Sequence, residues 1–152
     1  MGTRKPTLAE PTNVDMLAEA LRETVGKFVR SVRAEAGTPT NAQSETLAYL
    51  ERNGPVSIAV LADSRGVKHQ SMRLVTSKLE ETGLIAMEPD PKDGRSYLVT
   101  LTRQGRQENA QARMARTRWL AEALSQHTSA QEREVLQDAL RVLQRITALD
   151  SR

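Results

Sequence analysis

Apolar residues recur every three or four positions near both ends of the chain, which is the spacing of one face of a helix. The N-terminal segment carries Leu17, Leu21, Val25, Phe28, Val29 and Val32. It predicts a helix over about 14–36, opened by a capping box at 12–15. The C-terminal segment carries Val135, Leu136, Ala139, Val142, Leu143, Ile146 and Leu149. It predicts a helix over about 130–149, with a second capping box at 129–132.

Three shorter helices are predicted between residues 40 and 83. A capping box at 40–43 opens the first, which ends at Asn53-Gly54-Pro55. Ser57 has the position of an N-cap for the next, over about 58–64, and a glycine turn at 65–67 separates it from a helix over about 68–82. That last helix has Met72, Val75 and Leu79 on one face, and Gly83 supplies its C-terminal stop.

After Gly83 the hydrophobic period changes from helical to alternating. Residues 84–88 and 96–101 are short β-prone runs on either side of the turn-forming segment Pro89-Asp-Pro-Lys-Asp-Gly94, so they predict an antiparallel hairpin. Thr102 then caps a long helix to about 126, with Ala110, Met114, Leu120 and Leu124 as its apolar positions. The fold class predicted is mainly α with a small β-hairpin.

The order helix, helix, short helix, turn, helix, hairpin predicts a winged helix-turn-helix, in which the hairpin is the wing. A short helix and a glycine turn would hold the following helix out from the surface, where it fits a major groove. Its outer face carries no carboxylate before Glu80, and the predicted DNA contacts there are Lys68, His69, Gln70, Ser71, Arg73, Thr76 and Lys78. Lys92 and Arg95 lie at the hairpin tip, placed for the backbone or minor groove. The alternative is that this helix face is merely solvated and that the hairpin is merely a connector, so that neither contacts DNA.

Composition narrows the function classes without choosing between them. The chain has 152 residues and no cysteine, which excludes disulfides, thiolate metal sites and a cysteine nucleophile. No apolar run approaches membrane-spanning length, and no secretory signal is evident, so the expected location is the cytoplasm, with no membrane partner. His69 and His127 lack ligands at metal spacing, and no catalytic motif is visible. We therefore expect no metal, no cofactor and no enzymatic activity.

Three motifs resemble the signature of the MarR family of transcriptional regulators. They are Leu79-Glu-Glu-Thr-Gly-Leu-Ile85 at the end of the recognition helix, Pro91-Lys-Asp-Gly-Arg95 in the wing, and Val99-Thr-Leu-Thr-Arg-Gln-Gly105. The long first, fifth and sixth helices fit as well, so the resemblance covers nearly the whole chain. It implies a homodimer whose two winged lobes bind successive major grooves of a pseudo-palindromic double-stranded DNA site.

The resemblance also implies roles for individual residues. Gln70, Ser71 and Arg73 stand where family members contact bases. Arg95 would enter the minor groove, with Asp93 holding its guanidinium by a charge-assisted pair. Lys68 departs from the usual Ser or Thr N-cap, Gly94 removes a phosphate contact, and Glu88 would repel phosphate.

The domain organisation expected has three parts. Residues 1–11 are a flexible arm, 12–38 and 106–152 a helical dimerisation region, and 39–105 the winged DNA-binding lobe. The last helix has more apolar surface than one slender lobe can cover, and this also predicts a dimer. The predicted interface residues are Leu17, Leu21, Val135, Val142, Leu143, Ile146 and Leu149.

Many members of the resembled family bind small aromatic or anionic effectors between the dimer body and the lobes. The corresponding candidates are Phe28, Arg30, Tyr49, Arg116 and Trp119. The alternative is that the three aromatic residues belong to the core or to the dimer seam. The function predicted is a sequence-specific repressor relieved by a ligand. The alternative is a winged-helix dimer that binds proteins and no longer binds DNA.

Overall fold

The computed structural model describes residues 13–148 and has eight elements in the order predicted. The helices are α1 (Val14–Glu35), α2 (Ala42–Asn53), α3 (Ile58–Arg65), α4 (His69–Glu81), α5 (Arg103–His127) and α6 (Ala130–Thr147), and the strands are β1 (Ile85–Pro89) and β2 (Tyr97–Leu101). The fold is therefore mainly α with one antiparallel hairpin between α4 and α5, which confirms the predicted class. The proposed arm, 1–11, lies outside the described residues.

The N-caps of α1 and α2 lie one residue after the predicted positions, and only α2 has the predicted capping box. Asn13 caps α1 with its side chain, and Asn41 caps α2 in a reciprocal box with Ser44. Asparagine is among the strongest N-caps, ahead of threonine, so it displaces the neighbouring Thr40. Thr12 lies outside the described residues. The third box is confirmed, with Ser129 and Glu132 accepting each other's backbone N–H groups at 3.2 and 2.8 Å.

A hydrophobic core lies inside the winged lobe and is formed by side chains of the segment that runs from α2 to β2. It is built from Leu47, Leu50, Leu61, Ala62, Met72, Leu79, Leu84, Ile85 and Val99. Val32 is the buried hydrophobic residue that α1 contributes. The lobe can therefore hold α4 in place with little help from the long helices.

The wing is anchored by a third backbone segment that the sequence did not reveal. The hairpin pairs Ile85 with Leu101 and Pro89 with Tyr97. Val56, between α2 and α3, bridges to Val99 on the free side of β2, with N–H···O distances of 3.3 and 2.8 Å. The bridge ties the hairpin to the helix-turn-helix, so the two form one structural unit.

The start of α5 is held against the turn between α4 and β1. The Thr102 hydroxyl accepts the Gly105 N–H at 3.0 Å and donates to the carbonyl of Gly83 at 2.6 Å. A Cβ at Gly105 would lie 2.0 Å from the carbonyl oxygen of Leu84. This close backbone approach is the physical reason why residue 105, the last of the third sequence motif, is a glycine.

The long terminal helices leave much of their apolar surface uncovered. None of the described residues of α6 is buried, and on α1 side chains such as Leu17 and Val25 remain exposed. Met114, predicted as an apolar contact of α5, points outward as well. Leu149, a predicted interface residue, lies outside the described residues. No helix within 13–148 has the length and hydropathy needed to cross a bilayer.

Candidate nucleic-acid interface

Helix α4, the predicted recognition helix, is positioned at both ends by helix-capping turns. Gly66 takes a left-handed conformation (φ +61°) after α3, and the N–H of Val67 bonds back to the carbonyl of Ala62. After α4, Gly83 (φ +73°) donates to Glu80 and Leu84 donates to Leu79, a Schellman arrangement. Two left-handed glycines thus set the entry and exit angles of α4.

The inner face of α4 locks the helix to the core. Met72, Thr76 and Leu79 are 1%, 3% and 0% exposed. The Thr76 hydroxyl lies 3.1 Å from the carbonyl oxygens of Met72 and Arg73. The prediction that Thr76 contacts DNA is therefore wrong. It lies one turn from Met72 on the same face, and its hydroxyl is satisfied within its own helix.

The remaining predicted side chains of α4 are all on its outer face. Lys68, His69, Gln70, Ser71, Arg73 and Lys78 are exposed. Lys68 occupies the N-cap position and makes no side-chain capping bond within the described chain, as predicted for an ammonium group. Lys78 lies 3.7 Å from Glu81 in an exposed pair, which contributes little. The N-terminal two-thirds of the helix thus present donors without carboxylates.

The α3–α4 pair is fastened to the start of α2 by Arg65. Its guanidinium pairs with Glu45 and donates to the carbonyl of Ala42 at 3.1 Å. Arg65 is only 22% exposed, and Glu45 is 44% exposed. This contact connects α3, the first helix of the helix-turn-helix, to α2. It also pairs the charge of Arg65 with a carboxylate, so Arg65 adds less to the positive surface of the lobe.

The wing tip is shaped by two aspartates that accept backbone hydrogen bonds. Asp90 Oδ1 accepts the N–H of Lys92 at 2.8 Å, and Asp93 Oδ1 accepts the N–H of Arg95 at 3.1 Å. The predicted pair between Asp93 and the guanidinium of Arg95 is absent from the ion pairs of residues 13–148. In this structure the carboxylate orders the turn, while the Lys92 and Arg95 side chains remain exposed.

Met87 and Glu88 are neighbours on β1 and have different surroundings. Met87 packs against the hydrophobic core, so an apolar residue suits its position. Glu88 is exposed on β1, opposite Leu98. Glu88 therefore remains a negative charge on the wing.

Of the predicted effector residues, Phe28 and Arg116 meet in one cleft. This cleft, about 220 Å³, lies between α1 and α5 and is lined by Phe28, Val29, Val32, Arg33, Arg116, Thr117 and Leu120. Arg30 and Trp119 do not line it. Tyr49 borders a different cavity, about 390 Å³, between α1, α2 and α3. Sequence reasoning missed Arg33, which follows Val29 by one helical turn.

Arginines crowd the polar end of this cleft. Burial, with the positive charges of Arg33 and Arg113, lowers the pKa of Arg116 from its ordinary value. Arg116 reaches the Thr38 hydroxyl at 3.4 Å. Arg113 is compensated by Glu51 at 2.9 Å, and Asn109 donates to the same carboxylate oxygen at 3.1 Å. An anion in the cleft would relieve the remaining repulsion.

Comparison with known proteins agrees with this architecture. A sequence model of the MarR family matches residues 38–96. An HTH-type transcriptional regulator of Mycobacterium leprae is 32% identical over 125 residues, covering 81% of this chain and 87% of that protein. The HTH-type transcriptional repressor NicR of Pseudomonas putida is 29% identical over 93 residues, covering 60% and 59%.

A solved structure extends the likeness to the long helices. The crystal structure of a transcriptional regulator from Pseudomonas aeruginosa superposes with a TM-score of 0.75 at 29% identity. The match covers 90% of this chain and 98% of that one. These relatives favour a DNA-binding regulator over the protein-interaction alternative.

Proposed function

This chain belongs to the MarR family of transcriptional regulators, and from that premise we propose that it is a homodimeric repressor of a pseudo-palindromic operator, relieved by a small ligand. The observation that carries the proposal is the outer face of α4. It exposes Gln70, Ser71 and Arg73 while its inner face is fixed in the core. A rigid helix with base-reading donors and no early carboxylate suits a major groove. Repression is supported by the similarity to NicR, which is named a repressor.

In the proposed complex, α4 and the wing have different tasks. Gln70 and Arg73 contact base edges. The amide of Gln70 offers one donor and one acceptor and the guanidinium of Arg73 offers two parallel donors, so each pattern matches a different base. Lys68, His69, Ser71 and Lys78 complete the α4 face. Lys92 contacts phosphate, and Arg95 enters the adjacent minor groove, where negative potential is concentrated.

The homodimer is supported by the apolar faces of the terminal helices. Val135, Val142 and Ile146 are 66%, 44% and 53% exposed on α6. An apolar helix face that is left exposed in one copy of the chain is typical of an interface. We assign 12–38 and 106–152 to this dimer body and 39–105 to the lobe. Two-fold symmetry would then present two α4 helices to one face of DNA.

The proposed effector is a small aromatic anion held in the cleft between α1 and α5. Phe28 and Leu120 provide apolar surface, while Arg33 and Arg116 provide positive charge. Guanidinium groups favour a carboxylate, which accepts two parallel hydrogen bonds. Because α1 and α5 belong to the proposed dimer body, a ligand between them would alter the spacing of the two lobes.

The test is a salt-titrated binding measurement on the DNA upstream of this protein's own gene. Tight, sequence-dependent binding by the full-length dimer is expected. Arg73→Ala and Gln70→Ala should each lose about 1–3 kcal/mol per half-site and relax the ranking of operator variants. Lys92→Ala should weaken every sequence similarly and reduce the salt slope by about one per subunit.

Arg141→Ala is the matched control, because it also removes one positive charge but from the exposed polar side of α6. It should leave affinity and salt slope nearly unchanged. If Arg73→Ala alters neither affinity nor operator ranking, α4 does not read bases. A folded dimer that binds no DNA would support the protein-interaction alternative.

A further inference from the structure

Leu74 is an apolar side chain at the centre of the outer face of α4. It is 70% exposed. At helical spacing it lies on one stripe with Gln70 and Ser77, opposite the buried Met72 and Thr76. Its position in the helix points it away from the core, toward the surface that α4 presents to DNA.

The surroundings of Leu74 make it distinctive. The other residues of that exposed face are polar or charged, including Gln70, Ser71 and Lys78. The helix is already anchored by its buried inner face, so Leu74 adds little to stability within the described chain. An exposed leucine among base-reading donors would leave apolar surface in water unless DNA covers it.

We propose that Leu74 contacts the C5-methyl group of a thymine and is a specificity-determining residue of the operator complex. This inference rests on the proposed function. On base edges in the major groove, hydrogen-bonding groups predominate, and the thymine methyl is the apolar group. The branched end of leucine matches it chemically. Leu74 therefore adds an apolar contact to the polar contacts of Gln70 and Arg73.

The groove beside Leu74 fits this occupant. Leu74 and Val75 form one wall of a groove of about 380 Å³, and the first turn of α2 forms the other. Lys78 lies in the same lining. Lys78 and the positive end of the α2 dipole favour a sugar–phosphate strand next to the apolar wall. The groove thus combines an apolar wall, which can contact a thymine methyl, with a positive edge, which can contact the DNA backbone.

Uracil substitution tests the contact atom by atom. The full-length protein first selects its operator from a random double-stranded DNA pool. Each thymine of that operator is then replaced by deoxyuridine, which removes the methyl and keeps base pairing. For the wild type, one or two positions per half-site should weaken binding by about fourfold each, the value of one buried methyl-sized group.

The same substitutions are then measured with Leu74→Ala. This variant should bind thymine and uracil operators equally at those positions, because the wall that senses the methyl is gone. Val60→Ala is the matched control, since Val60 is also an exposed apolar residue of the lobe but lies on α3. It should keep the full preference for thymine. Thermal melting verifies that both variants are folded.

Two results would overturn the contact. One is a wild type that ignores every thymine-to-uracil change, and the other is an equal loss in the wild type and Leu74→Ala. Either would leave the proposed function intact, because Arg73→Ala would still relax the operator. If no sequence is enriched from the pool, the proposed function itself fails, and the Leu74 contact fails with it.

Discussion

At the residue scale, Gly105 lets the start of α5 approach the backbone of Leu84 closely, because glycine has no Cβ. Its Cα faces the backbone of Leu84, and an added Cβ would lie 2.0 Å from that carbonyl oxygen. We expect Gly105→Ala to lower the free energy of unfolding by at least about 1 kcal/mol. Overpacking against backbone costs about 1–3 kcal/mol, which outweighs the helix propensity gained from alanine. Thermal denaturation at matched protein concentration measures the change.

Gly26→Ala is the control for the intrinsic helix effect. Gly26 lies within α1, where an added Cβ would meet only the end of the Arg30 side chain at 3.4 Å. This variant should be neutral or more stable by up to about 1 kcal/mol. A stabilised Gly105→Ala would mean that α5 moves freely away from Leu84.

Asp93 contributes both a hydrogen-bond acceptor and a negative charge to the wing, and experiment can separate the two contributions. Its Oδ1 accepts the N–H of Arg95, so the carboxylate places Arg95 through the backbone. Asp93→Asn keeps an acceptor oxygen and removes a negative charge near phosphate, so it should bind operator DNA as well as the wild type or more tightly. Asp93→Ala loses the turn and should weaken binding by about two- to tenfold, the range of one hydrogen bond.

A double-mutant cycle separates the turn from the charge. Arg95→Ala removes the side chain that the turn positions, so adding Asp93→Ala should cost less than the two single losses together. Fluorescence anisotropy at constant salt supplies the affinities. Strict additivity would make Asp93 independent of Arg95. Equal losses from Asp93→Asn and Asp93→Ala would instead favour the guanidinium pair that the resemblance implied.

At the scale of the element, local sequence patterns predict most of this fold. Apolar periodicity and caps placed all six helices and the hairpin in order, because these signals act within a few residues. The position of α4 and its exposed donors followed from the same signals. The error at Thr76 has a local cause as well. A polar residue was assigned outward, although its phase along α4 places it beside Met72 and Leu79.

What the sequence did not predict depends on contacts between distant elements. The Val56 bridge to Val99 joins segments more than forty residues apart, and neither segment has a pattern that identifies the other. The cleft is similar, since Arg33 meets Arg116 only after α1 packs on α5. Packing between distant elements also places Phe28 and Arg116 in one cavity and Tyr49 in another. Their spacing along the chain could not predict this difference.

At the scale of the whole molecule, buried and exposed apolar residues are segregated. Among the described residues, the buried hydrophobic cluster lies in the winged lobe and α1 adds Val32, whereas most of the large exposed apolar side chains lie on α1 and α6. The lobe therefore satisfies its own hydrophobic surface and the terminal helices do not. A second copy would cover these helices by a symmetric, self-complementary contact. Folding of the long helices should then depend on protein concentration.

This dependence leads to the prediction of an obligate dimer. Sedimentation equilibrium of the full-length chain should show a dimer throughout the micromolar range. Ile146→Glu should break it, because a carboxylate buried in an apolar seam costs several kcal/mol. Gln137→Glu introduces the same charge on the polar side of α6 and should leave the dimer intact.

Truncation after Ser129 should give monomeric or insoluble protein. A well-folded monomer of the full-length chain at micromolar concentration would rule out the dimer, and two lobes could then not read a pseudo-palindrome together.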